Sequence, residues 1–129
     1  PHAGAVLLAG RNRAALDAIS REVGGQAGED SGRHPVGLVV HATTVGRGDT
    51  GPLAPSLDGW ISGTTTVLDF VYSPVDPQVQ RACERAGGRY EDGRRLLVYQ
   101  AADAYAVWWG RRPNETELRD ALRGIGCAE

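Results

Sequence analysis

The sequence predicts an α/β fold, a mostly parallel sheet held between helices in three αβα layers. Two observations carry this. Three short uncharged apolar runs, Ala5–Ala9, Val36–Val40 and Thr64–Leu68, read as strands buried on both faces. Segments with helical apolar spacing alternate with such runs, and that alternation implies parallel strands joined by right-handed crossovers.

The elements follow in order. Ala5–Ala9 is closed by Gly10. Asn12 is a good N-cap, and Ala15, Leu16, Ile19 and Val23 then recur at helical spacing until Gly24-Gly25 stops the helix. Gln26–Pro35 is polar and reads as loop. Val36–Val40 is the second strand, and the Pro- and Gly-rich stretch from Arg47 to Gly59 is an exposed loop whose far end Trp60 and Ile61 pin to the core. Thr64–Pro74, T-T-T-V-L-D-F-V-Y-S-P, organises the chain. Its apolar half ends at Asp69, and Pro74 forbids continuation of a central strand. A helix over Pro77–Ala86 presents Val79, Ala82, Cys83 and Ala86 on one face, and Gly87-Gly88 ends it. Arg89–Glu91 is a short strand candidate and Asp92-Gly93 a turn. Leu96–Val98 reads as a buried strand, with Gln100 opening a helix that ends at Gly110. Asn114 and Glu117 form a capping box for a last helix, 115–123, with Leu118, Ala121 and Leu122 inward.

Composition narrows the function. The chain has 129 residues, the length of one domain, and its hydrophobic fraction of 41% is enough for a core. The net charge of −2 shows no basic stripe, so neither nucleic acid nor an anionic membrane is an expected partner. All 14 basic residues are Arg, so no lysine of this chain can serve as Schiff base or proton donor. Cys83 and Cys127 lie far apart without a C-x-x-C, which excludes a zinc ribbon or disulfide framework. No apolar run approaches membrane-spanning length, and a cytoplasmic setting is expected.

Ligands of open α/β sheets bind beyond the carboxyl ends of the strands. Three such ends carry polar chemistry. Gly10-Arg11-Asn12 opens a helix N-terminus, which favours an anion; the same residues could be a solvated first turn. His41-Ala42-Thr43-Thr44-Val45-Gly46 could line a ribose or nicotinamide, or be a Thr-rich turn with a satisfied histidine. Asp69, Phe70 and Tyr72 stand past the organising strand. Gln100 can donate and accept hydrogen bonds, which suits a polyhydroxylated ligand, or it can simply cap a helix.

The order of these segments is more specific than any one of them. H-A-T-T-V-G, a Pro/Gly loop, D-F-V-Y-S-P, D-G-x-x-L-L-V-Y-Q-A-A and W-W-G-R-R-P together resemble the cofactor domain of shikimate dehydrogenases and quinate/shikimate dehydrogenases, from about Val6 to Leu122. That family reads roughly N-A-T-S-x-G-M, D-x-V-Y-x-P, G-x-G-M-L-V-x-Q-G/A-A and W-x-G-x-x-P. The resemblance implies a Rossmann-like fold and NADP as cofactor. It places Gly10, Arg11 and Asn12 at the 2′-phosphate, Thr43 in the cofactor loop, and Phe70 and Gly93 beside the nicotinamide. Tyr72 and Gln100 match the residues that reach the shikimate hydroxyls. Four positions depart from the pattern: His41 for Asn, Arg47 for Met, Arg95 for the second Gly of G-x-G, and Pro77 for Thr.

Under this resemblance the first βα unit and its Gly-rich loop are expected to be lacking, which leaves a gap between the strands ending at Gly10 and His41. The expected division is a partial NADP-binding domain over 1–100 and a helical segment of the same domain over 101–129. No catalytic residue is expected in the chain; proton transfer would belong to a missing N-terminal substrate domain. The implied function is that of the C-terminal fragment of an enzyme reducing 3-dehydroshikimate to shikimate with NADPH, the fragment alone being inactive. The alternative is a non-catalytic remnant or regulatory nucleotide-binding module of the same fold. Glutamyl-tRNA reductase shares an A-T-x-x turn, but the Y-x-P and Q-A-A segments argue against it.

Overall fold

The computed structural model describes residues 5–27, 34–46, 51–52, 56–72 and 76–126. The elements are β1 (Leu7–Leu8), α1 (Arg13–Val23), β2 (Gln26–Ala27), β3 (Leu38–His41), β4 (Thr66–Asp69), α2 (Gln78–Arg85), β5 (Arg89–Asp92), α3 (Arg94–Trp109) and α4 (Glu115–Gly124). Among the described residues these strands pair in parallel. β1 pairs with β2 in one small sheet, and β3, β4 and β5 form a second sheet in that order. The strands expected to flank a gap, β1 and β3, thus lie in different sheets.

The core sits on the second sheet. β4 is its central strand, and Val67 packs there with Ile61, Val79 and Cys83. Val39, Leu57, Ala86 and Tyr90 close the cluster from its edges. Cys83 is fully buried, as its place on the apolar face of α2 required. The turn after α2 is forced by glycine. Gly87 has φ 71°, and a Cβ on Gly88 would stand 2.9 Å from Ile61 Cγ2. Only a residue without a side chain lets β5 start that close to the core.

α1 is capped by the Asn12 side chain, which accepts from the Ala15 N–H at 3.1 Å, and it ends at Gly24 in the left-handed region. Of its apolar positions only Leu16 is buried; Ile19 and Val23 are exposed. α4 carries both halves of the capping box between Asn114 and Glu117. Leu118 and Leu122 are half-buried, whereas Ala121 is exposed.

Two assignments differ from the sequence reading. Gln26–Ala27 is a strand and not loop, because the Gln26 N–H reaches the Val6 carbonyl at 2.8 Å and starts the ladder to β1. Leu96–Val98 is helix and not strand. α3 begins at Arg94, where Asp92 Oδ1 accepts from the Arg94 N–H at 3.0 Å, so Gln100 lies inside the helix and caps nothing. The division between residues 100 and 101 also falls within α3. Arg47, Pro74 and Cys127 lie outside the described residues. No helix among the described residues is long and apolar enough to cross a membrane.

Candidate functional site

The parallel register sets the site. His41 of β3 stands opposite Asp69 of β4, and Asp69 opposite Asp92 of β5, so the three carboxyl ends finish level. The chain then leaves the sheet at Ala42, Phe70 and Gly93 together, where a ligand of an open parallel sheet is met.

His41 and Asp69 are buried, 5% and 3% exposed. His41 Nδ1 lies 2.8 Å from Asp69 Oδ1, and His41 Nε2 lies 2.6 Å from Thr43 Oγ1. Asp69 Oδ1 also accepts from the Val71 N–H at 2.9 Å, and Asp69 Oδ2 accepts from the Tyr90 hydroxyl at 3.1 Å. Burial and the neighbouring Asp69 carboxylate push the Tyr90 phenol well above its usual range, so Tyr90 stays a donor. Asp69 is therefore spent on holding the strand ends together. His41 is a satisfied histidine, the plainer of its two sequence readings.

Thr43 is exposed and carries two bonds, one to His41 and one from the Val45 N–H at 3.3 Å. Phe70 donates its N–H to the His41 carbonyl at 2.9 Å, which turns its half-exposed ring past the end of β4. Gly93 is buried against that same residue, and a Cβ there would stand 2.7 Å from the Phe70 carbonyl oxygen. Any side chain at 93 would push β4 and the start of α3 apart. Tyr72 is exposed just beyond, and Gln100 is exposed on α3. Arg95 is exposed on the first turn of α3. Its neighbour Arg94 bonds Asp92 Oδ2 at 2.7 Å and the carbonyls of Ile125 and Gly126 at 3.0 Å each.

Gly10, Arg11 and Asn12 stand on the other sheet, between β1 and α1. Arg11 is exposed, the first turn of α1 holds no acid, and Asp17 further on pairs with Arg13 at 3.1 Å. The Asn12 side chain is occupied by its cap bond. Among the described residues no group of three or more His, Cys, Asp and Glu side chains could hold a metal ion. Tyr90 was not singled out from sequence. Its one signal was position, as the aromatic residue at the second position of a strand beside the organising one.

No protein-family model matches the chain. A shikimate dehydrogenase (NADP(+)) of Halobacterium salinarum is 40% identical over 123 residues, covering 92% of this chain and 46% of the relative. The shikimate 5-dehydrogenase of Thermus thermophilus, solved with NADP(H) and shikimate, matches with a TM-score of 0.75 at 24% identity, over 93% of this chain and 46% of that one. The 5-ketofructose reductase of Gluconobacter sp. strain CHM43 matches with a TM-score of 0.72 at 22% identity, over 95% and 48%. These structures show the fold, an α/β Rossmann-like one. The chain spans about half the length of the curated relatives it matches. Over that span, in sequence and in fold alike, it resembles the C-terminal part of shikimate dehydrogenase.

Proposed function

We propose that this chain is the C-terminal, cofactor-side part of an NADP-dependent shikimate dehydrogenase, which reversibly reduces 3-dehydroshikimate to shikimate. The observation that carries the reading is the 40% identity to an NADP(+)-named relative across 92% of the chain. The residues fit the cofactor. Arg11 at the acid-free start of α1 suits a 2′-phosphate, with Gly10 leaving the turn open and Asn12 capping the helix. Gly93 packs its backbone against the Phe70 carbonyl and puts no side chain at this turn, and a flat nicotinamide would lie beside these two residues. Thr43 lines the cofactor loop. Tyr72 and Gln100, both exposed, would bond the hydroxyls of the ring substrate.

NADPH, when bound, supplies the hydride. The part of this chain is to hold the cofactor and the ring in reacting geometry, which is a large share of what a dehydrogenase must do. Proton transfer falls to a substrate domain N-terminal to this segment, and the 129 residues alone are inactive. The working protein is cytoplasmic, and its partner is a small ring acid, not nucleic acid or membrane.

A chimera tests this. The Halobacterium salinarum enzyme keeps its sequence up to the aligned span, and this chain replaces the rest. Shikimate-dependent reduction of NADP+ is the expected result. A folded chimera that neither binds NADP+ nor oxidises shikimate would overturn the reading.

A further inference from the structure

The hydrogen-bond partners around buried Asp69 constrain where the protons of the cluster can sit. Two of its donors are fixed, the Val71 N–H on Oδ1 and the Tyr90 hydroxyl on Oδ2. Asp69 is thus an acceptor on both oxygens, and the third contact, from His41 Nδ1 at 2.8 Å, must bring its own proton. The other face of the imidazole then decides the rest. His41 Nε2 and Thr43 Oγ1 are 2.6 Å apart, and a neutral imidazole that carries its proton on Nδ1 has a bare Nε2. The Thr43 hydroxyl therefore donates to a bare Nε2. Its oxygen also receives the Val45 N–H at 3.3 Å, which leaves one lone pair on an exposed residue two positions past the end of β3.

We propose that His41 is a positioning residue that locks Thr43 Oγ1 as an acceptor toward the ligand, so that the group bound there is a neutral donor, a hydroxyl or an amide N–H, and not a phosphate or carboxylate. The ligand half of this inference rests on the cofactor reading above; the wiring of His41 does not. The physical logic is that a threonine hydroxyl ordinarily rotates to suit either partner. Here its proton is committed inward, so the site selects by hydrogen-bond polarity. An asparagine at position 41 could do the same, since its amide offers an N–H to one side and a carbonyl to the other.

Two measurements test this on the whole chain. Imidazole nitrogen spectra of the 15N-labelled chain near neutral pH, about 7, are expected to show His41 protonated at Nδ1 and bare at Nε2. An Nε2-protonated, doubly protonated or solvent-averaged ring overturns the wiring. Calorimetric titration with NADP+ follows. Thr43→Val, which leaves the His41–Asp69 pair in place, is expected to weaken binding by about three- to tenfold. His41→Leu is expected to do at least as much, and His41→Asn to recover most of that loss. Unchanged affinity in Thr43→Val overturns the ligand half. A chain with the expected tautomer that binds no NADP+ supports the wiring and overturns the cofactor reading, the ligand half with it.

Discussion

Val67 at the centre of β4 is fully buried, while Val23 at the end of α1 is 56% exposed. Both belong to segments with a regular apolar pattern, and the difference lies in what each segment has to pack against. β4 is paired on both sides and covered by Val79 and Cys83 of α2. α1 has eleven residues and the sheet beside it is two strands of two residues each; Leu16 is buried and Ile19 is not. Leu38 and Val40, on β3 at one edge of the second sheet, are likewise 57% and 50% exposed. An apolar stripe states which face favours cover; it says nothing about whether the cover is at hand. The contrast also divides the site, since the residues proposed for the 2′-phosphate stand on the thinly packed sheet and those proposed for the nicotinamide on the well-packed one.

The largest test of the contrast is a pair of truncations. Val67→Ala is expected to lower the unfolding free energy by about 2–3 kcal/mol, through lost burial and the cavity left behind. Ile19→Ala should cost less than about 1 kcal/mol, since little of its surface leaves water. Equal losses in a denaturant titration would break the comparison. Next in size is Arg11→Asp, which is expected to weaken NADP+ by about tenfold, because a charge-assisted phosphate bond becomes a repulsion. Undiminished affinity would remove Arg11 from the site. In the unsubstituted chain NADP+ should also slow amide exchange in α1 more than in β4, since α1 is the less protected partner.

α4 gives a smaller, self-contained comparison. Asn114→Ala should cost about 1 kcal/mol by removing its cap. Glu117 is held from an ordinary 4.5 down to about 2, first by the Arg111 guanidinium and then by the Asn114 N–H. A lowered carboxyl stabilises the fold above its unfolded value and ceases to do so as pH falls through the folded one. Helix signal in circular dichroism should therefore fade as pH drops from 4.5 toward 2, and Glu117→Gln should flatten that change. The smallest expected effect is on the ring substrate. In the chimera, Gln100→Ala should raise KM for shikimate about threefold and leave that for NADP+ in place. An equal rise in both would show that Gln100 acts on the shape of α3.

The fold was legible where letters act on near neighbours. Asn12, Gly24 and the Asn114–Glu117 box marked their helix ends, and the uncharged run before Asp69 marked the central strand. α3 was misread at its start because Leu96–Val98 has the look of a buried strand, and the signal that overrules it comes from Asp92 bonding the Arg94 backbone. Gln26–Ala27 was hidden for the opposite reason, since a two-residue strand at the end of a polar stretch has no pattern of its own. The site was legible as a set of strand ends, through the order of motifs. Its internal wiring was not. His41 and Asp69 are 28 residues apart, and only the parallel register brings them level.

Arg94 has a mechanical consequence. One guanidinium holds Asp92 at the end of β5 and the carbonyls of Ile125 and Gly126 beyond α4, closing a span of 31 residues from Arg94 to Ile125. Closing a span of that length carries an entropic cost that grows only slowly with its size. Once closed, the strap makes α3 and α4 a single loaded frame. A pull on the C-terminal segment is delivered to the backbone beside Gly93, where there is no slack, because the Phe70 carbonyl already occupies the space a methyl group would need.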